Sequence, residues 1–263
     1  MKPAPSKDPQ CSALYPEPGE GRFFTASDGT RLFVYEYLPK EAPKGTMYFI
    51  SGITGINHRA EREVIAALSG ERYRILVMHP RGTGFSDGPR GCLRQFSLLV
   101  EDFIHCIHED RATIGSNHPV FLFGHSMSTA IVLAILHQIP ECNGTILVNP
   151  PVQLRAAKGM SPTWKEYLKY IWYFLFARHT PVVNMAGDPE RIADKEEREE
   201  ARLRGQDPLL VKYFSMYMMF SAQKLMKQML PRAREANVPL LLVYGTKDSI
   251  VTRAGCERLF SEW

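Results

Sequence analysis

Along the chain, short continuous apolar runs alternate with longer segments in which apolar residues recur every three or four positions. The runs at 46–50 (TMYFI), 75–78 (ILVM), 120–123 (VFLF), 145–148 (TILV) and 240–244 (LLLVY) have the length of strands. They lack polar alternation, so they predict strands buried on both faces, as in a parallel sheet. Helical spacing predicts helices over 59–68, 96–114 and 127–138. Strand, helix, strand in this rhythm predicts a doubly wound, mostly parallel α/β sheet. Ahead of it, Phe23-Phe24 and the run RLFVYEYL at 31–38 flank Asp28-Gly29. Asp-Gly between two β-prone runs predicts an antiparallel hairpin.

The rhythm breaks over 152–232. Two segments there, WKEYLKYIWYFLFARH and YFSMYMMFSAQKLMKQM, are rich in aromatics and methionine, and a highly charged stretch separates them. Helices without an intervening strand, set between two strands of the sheet, predict a cap or lid. The expected organisation is a Pro-rich, polar arm over 1–20, a first core part over 21–151, the helical cap over 152–232 and a second core part over 233–263. The charged stretch reads as a solvated helix face. No internal repeat is present.

Composition narrows the class without deciding it. A formal charge of +4 comes with no basic tract, so no nucleic-acid partner is expected. The five cysteines are scattered and form no C-x-x-C pair, which points to neither a zinc site nor a disulfide scaffold. No apolar run of spanning length occurs, and MKPAPSKDPQ lacks the apolar core of a secretory signal. A cytoplasmic location is the expectation.

The chemistry is carried by VFLF-Gly124-His125-Ser126-Met127-Ser128-Thr129-Ala130-IVLAIL. An apolar strand runs into a tight turn with serine at its tip, and a helix follows at once. A serine hydroxyl is a weak nucleophile until it is lifted towards a base, and the strand-to-helix turn does that. Small residues two positions either side relieve crowding. Ser128 stands where the usual G-x-S-x-G pattern has its second glycine. Ser126 is therefore the candidate nucleophile.

With the elbow in place, the chain resembles the monoacylglycerol lipase and lysophospholipase branch of the α/β-hydrolases, also described as serine-aminopeptidase-like. Three further stretches carry the likeness. The loop His79-Pro80-Arg81-Gly82-Thr83-Gly84-Phe85-Ser86-Asp87-Gly88-Pro89-Arg90-Gly91 is similar to the family's D-x-R-G-x-G-x-S-x-G-x-R-G, with histidine in place of the first aspartate. Asp188-Pro189-Glu190 and Asp207-Pro208-Leu209 resemble paired turns of its cap. Leu241 to Val251 resembles the strand and loop that hold its acid. The resemblance implies an α/β-hydrolase fold, Asp248 as catalytic acid, and an oxyanion hole from the N–H groups of Met127 and Ile53. Ser51 replaces the histidine that the family carries two residues before that second donor. It implies no cofactor and no metal, since water completes an acyl-enzyme cycle.

The same resemblance implies a histidine after the acid, beyond a further helix and strand. Only 15 residues follow Asp248, none of them histidine, whereas those elements need roughly 20 to 25. The expectation is a chain that stops before its last strand and helix. Of the eight histidines, His58 and His79 lie on the catalytic edge and are the nearest stand-ins for the base. His125 is expected to point away from the serine's base position. His105, His108 and His137 fall on helices as surface or packing residues, and His118 and His179 lie in loops.

The apolar cap segments around 164–176 and 213–229 suit the wall of an acyl pocket, and equally suit packing of the cap on the core. Either way the first reading is a serine hydrolase of carboxylic esters, such as monoacylglycerols or lysophospholipids, with peripheral membrane contact through the cap as a further expectation. An aminopeptidase-like hydrolase is the second. A non-catalytic binding protein of the same fold, or an inactive fragment, is the third. A missing histidine and the altered positions 51 and 128 favour that last reading.

Overall fold

The computed structural model of the protein describes residues 19–52, 64–68, 70–115, 117–139, 141–155, 163–185, 195–206, 209–248 and 250–263. The predicted hairpin is present at the start of the described chain. Strand β1 (Gly19–Thr25) pairs antiparallel with β2 (Arg31–Tyr37). Asp28 Oδ1 accepts from the Thr30 N–H, and Gly29 takes φ 83°, the left-handed conformation such a turn requires.

The remaining apolar runs become β3 (Gly45–Ile50), β4 (Tyr73–Met78), β5 (Val120–His125), β6 (Cys142–Val148) and β9 (Leu240–Val243). They form one seven-stranded sheet in the order β1-β2-β4-β3-β5-β6-β9. Its strands are parallel from β4 to β9, and β2 is antiparallel to both its neighbours. All six residues of β3 are buried. Tyr48 and Ile50 enter the core on one face, with helix α1 (Ser97–Ile114) and helix α2 (Met127–Ile135); Met47 and Phe49 enter the core on the other. This two-sided burial is what the unbroken apolar runs encode.

One run departs from that expectation. In β9, Leu241 and Val243 are 55% and 44% exposed, because β9 is the outermost strand on its side of the sheet among the described residues. Its inward pair, Leu240 and Leu242, packs on the core.

Between β6 and β9 lie α3 (Trp164–Phe176), β7 (Pro181–Asn184), α4 (Lys195–Gln206), β8 (Tyr213–Ser215), α5 (Met216–Lys227) and α6 (Met229–Arg234). The inserted segment is thus mainly helical, but the expectation of helices without strands is corrected. β7 and β8 pair antiparallel, four residues against three, too short to leave a two-residue periodicity in the sequence. The final helix, α7 (Arg253–Glu262), buries Gly255, Cys256 and Leu259 and starts on a Thr252 side-chain cap.

The His79–Gly91 loop ties hairpin, sheet and cap together. Arg81 donates to both oxygens of buried Asp102 at 2.6 and 2.7 Å and to Asp28 at 2.8 Å. Ser86 Oγ accepts from the Phe33 N–H and donates to the His79 carbonyl. At the far end the Gly91 carbonyl accepts from the Ser215 N–H of β8. A Cβ on Gly91 would fall 1.8 Å from the Tyr213 oxygen, so only glycine lets the cap come this close. The polar residues of this motif are structural.

Candidate active site

Strand β5 ends at His125, and α2 begins at Met127. Ser126 between them holds φ 54°, ψ −126°, a conformation that L-residues avoid. Strain of this kind costs about 1–3 kcal/mol and persists only when its surroundings fix it. They do so here from both sides. The Ser126 N–H donates to the Val148 carbonyl of β6 at 2.8 Å. The Ser126 carbonyl accepts from the Thr129 N–H at 3.0 Å and the Thr129 hydroxyl at 2.6 Å. Gly124 leaves room below the turn, since a Cβ there would meet Val132, the Ser128 oxygen and the Thr129 Cα at about 3 Å.

Ser128, the departure from the glycine pattern, has a job of its own. Its fully buried hydroxyl accepts from the His125 N–H at 2.8 Å and donates to the His125 carbonyl at 2.9 Å. It staples the residue before the tip to the first turn of α2. Ser128→Ala should lower stability by about 1–3 kcal/mol, because both His125 backbone groups lose a partner. Denaturant melts of the two proteins measure this directly, and an unchanged midpoint would remove the staple.

Eight of the nine residues of α2 are buried, so the helix is anchored on all sides and its N-terminus is held still beneath Ser126. Met127, named from the sequence as an oxyanion donor, is its first residue, where helix N–H groups lack an intrahelical acceptor. The other named donor, Ile53, lies outside the described residues, as does His58. The strand leading to Ile53 is placed suitably. Ile50 stands opposite Gly124 in register, so Ser51 and Gly52 leave the sheet beside the elbow. Ser51 is fully buried, and among the described residues its hydroxyl has no hydrogen-bond partner.

Asp248 sits on the loop after β9, with β6 between that strand and β5. Its Oδ1 accepts from the N–H groups of Ile250 and Val251, both at 2.7 Å. These bonds fix the carboxylate and leave Oδ2 without a described partner. Two residues that the sequence did not single out hold this loop. Asn149, at φ 46°, accepts the Gly245 N–H on its side chain at 2.9 Å, and Arg155 donates to the Asp248 carbonyl at 3.1 Å. An asparagine closing a strand just before Pro150-Pro151 was the available signal, since asparagine tolerates the left-handed region.

The histidines do not gather at this site. His79 is corrected from a stand-in base to a packed core residue. It is 2% exposed, its ring lies 4.7 Å from Phe33 and stacks on Phe85, and its Nδ1 accepts the Phe85 N–H. His105 and His108 bond to Glu109 and to the Gln138 carbonyl on the helical layer, as expected of surface residues. His118 meets Thr46 Oγ1 at 2.9 Å at the opposite edge of the sheet, where burial and the Arg74 and Arg111 charges lower its pKa. His179 lies against Tyr217 in the cap, and burial with nearby arginines lowers its pKa. Among the described residues, no histidine ring is hydrogen-bonded to Ser126 or to Asp248.

The profile of the family described as serine aminopeptidase, S33, matches residues 41–263. The chain belongs to that family. Within this S33 hydrolase family its relatives include a monoacylglycerol lipase of Mycolicibacterium smegmatis, 28% identical over 90% of this chain and 81% of that one. The monoglyceride lipase of Rattus norvegicus is 25% identical over 87% and 73%. Among solved structures, a soluble variant of the Saccharomyces cerevisiae monoglyceride lipase superposes with TM-score 0.74 at 18% identity, covering 94% of this chain and 85% of that one. The Paleococcus ferrophilus monoacylglycerol lipase gives 0.67 at 22%, covering 88% and 84%. The S33 chain thus has the α/β-hydrolase fold anticipated from its elbow, on the monoacylglycerol lipase side of the superfamily.

Proposed function

We propose that the protein is a serine hydrolase of lipid carboxylic esters, acting through an acyl-enzyme on Ser126. The observation that carries this reading is the strained turn at Ser126, held by three hydrogen bonds and set on the N-terminus of a buried helix. Nothing in packing alone calls for a non-glycine residue at φ 54° there. Ser126 Oγ attacks the ester carbonyl carbon, its proton passes to the departing alcohol through a base, and water then cleaves the acyl-serine. The Met127 N–H faces the developing oxyanion, with Ile53 as second donor. Asp248, with Oδ2 open, would orient an imidazole base, and His58, which lies outside the described residues, is the remaining candidate for it on the catalytic edge. The monoacylglycerol lipases among the relatives support a monoacylglycerol, or the similar lysophospholipid, as substrate class.

Hydrolysis of p-nitrophenyl esters of increasing chain length tests this, run beside Ser126→Ala. The expected result is turnover that rises with acyl length and disappears in the variant. A second reading, a non-catalytic binding protein of this fold, is favoured by one observation, that no histidine is bonded to Ser126 or Asp248 among the described residues. Equal, negligible rates from the two folded proteins would select it.

A further inference from the structure

The chain leaves β6 on a stiff path. Asn149 turns it at φ 46°, and Pro150 and Pro151 follow, each with φ fixed by its ring. The residues after them, Gln153, Leu154 and Arg155, run antiparallel to the loop that carries Asp248. Leu154 and Val251 form a β-bridge. The Arg155 N–H donates to the Ile250 carbonyl at 2.8 Å, and the Thr252 N–H donates to the Gln153 carbonyl at 3.0 Å. Thr252 Oγ1 donates to Gln153 Oε1 at 3.2 Å and also accepts the Gly255 N–H in the first turn of α7. The fit is close, since a Cβ on Gly255 would fall 2.9 Å from both the Cβ and the backbone nitrogen of Gln153. Three residues thus line the whole stretch from Asp248 to α7, although Arg155 and Asp248 stand 93 positions apart.

The Asp248 carboxylate depends on such support. Among the described residues, its Oδ1 is bonded to N–H groups of its own loop, Ile250 and Val251. Those bonds fix the carboxylate within the loop and leave the place of the loop itself to other contacts. Asn149 holds one end through the Gly245 N–H, and Arg155 Nε holds the other by donating to the Asp248 carbonyl at 3.1 Å. Both come from the chain leaving β6, the strand whose Val148 carbonyl accepts the Ser126 N–H. Nucleophile and acid are therefore referred to one strand. We infer that Arg155 is a positioning residue, the head of a strap over Gln153–Arg155 that sets the Asp248 carboxylate, and so the base it orients, relative to Ser126. The inference rests on the proposed hydrolase reading for its effect on turnover.

R155M and R155Q test it, because both remove the charge at similar length. Glutamine carries an amide nitrogen as many bonds from Cα as arginine Nε, whereas methionine carries a methyl group there. On a p-nitrophenyl ester, R155M is expected to lose about tenfold in kcat with KM within about twofold of wild type, as a displaced catalytic group would. R155Q should recover most of that loss, which neither missing charge nor missing bulk would allow. Arg155 is exposed, so the unfolding midpoints should agree. Hydrogen exchange on the peptide spanning Gly245 to Thr252 needs no turnover. There the Ile250 and Val251 amides should exchange about tenfold faster in R155M, with protection restored in R155Q. Wild-type exchange in R155M overturns the inference. So does wild-type kcat in R155M, a defect confined to KM, or R155Q as impaired as R155M. A wild-type chain that cleaves no ester, while R155M still exchanges faster, would keep the strap and remove the hydrolase reading, so the two fail separately.

Discussion

Asp110→Ala is expected to cost about 3–5 kcal/mol of folding stability, the scale for removing one partner of a buried ion pair. Asp110 lies on α1 with its side chain almost wholly buried, and Arg74 of β4 donates to both its oxygens at 2.6 and 2.7 Å. Tyr48 of β3 adds a hydroxyl at 2.8 Å, and Arg22 of β1 a further contact at 3.3 Å. Arg74 also reaches Glu36 of β2 at 2.6 Å, so one arginine joins three strands and a helix. Removing the carboxylate leaves a buried guanidinium half-paired and a buried phenol without its acceptor.

The same cluster sets a pH dependence. Burial alone would raise the Asp110 pKa, but the hydrogen bonds and charge of Arg74, with Tyr48 and Arg22, outweigh it and hold the carboxyl below its ordinary value. A carboxyl depressed in the folded state stabilises fully above its unfolded pKa of about 4, and that contribution is lost as pH falls through the folded value. Wild-type stability should therefore decline below about pH 4, and in Asp110→Asn that part of the decline should be absent. Urea midpoints across the acid range measure both effects. A midpoint for Asp110→Ala within experimental error of wild type would show that the cluster is incidental.

The second large effect is on Ser126, where function and stability are expected to move in opposite directions. Ser126→Ala should reduce ester turnover by at least about a thousandfold, the usual consequence of deleting a nucleophile. Ser126→Gly should be equally inactive yet about 1 kcal/mol more stable, because glycine adopts φ 54° without the penalty a side chain meets there. A glycine variant that is both inactive and less stable than wild type would mean the turn is not strained. Retained turnover in either variant would move the chemistry to another residue.

Much of this was legible in the sequence where local pattern and burial agree. The apolar runs at 46–50, 75–78 and 120–123 had no polar face, and β3, β4 and β5 are covered on both sides. Gly124-His125-Ser126 stood out because a strand pattern stopped and a helix pattern began within two residues. Partnerships across long separations were not legible. Arg74 and Asp110 are 36 residues apart, and neither position advertises the other. His79 sits at a strand end on the catalytic edge, which made it a reasonable stand-in for a base. Its burial between Phe33 and Phe85 depends on the fold of Gly84, whose missing Cβ leaves the ring its space. In α3 the apolar spacing predicted the helix correctly but not that Leu168 and Leu175 would lie 55% and 65% exposed instead of walling an acyl pocket, since periodicity is blind to what lies on either side.

The most direct test of the central claim is covalent labelling of the wild-type chain with a fluorophosphonate, read by intact mass and then by peptide mapping. The account predicts one adduct, on the peptide holding Gly124-His125-Ser126, and none on Ser126→Ala. A folded chain that takes no label, or takes it on another serine while Ser126 stays free, would contradict it.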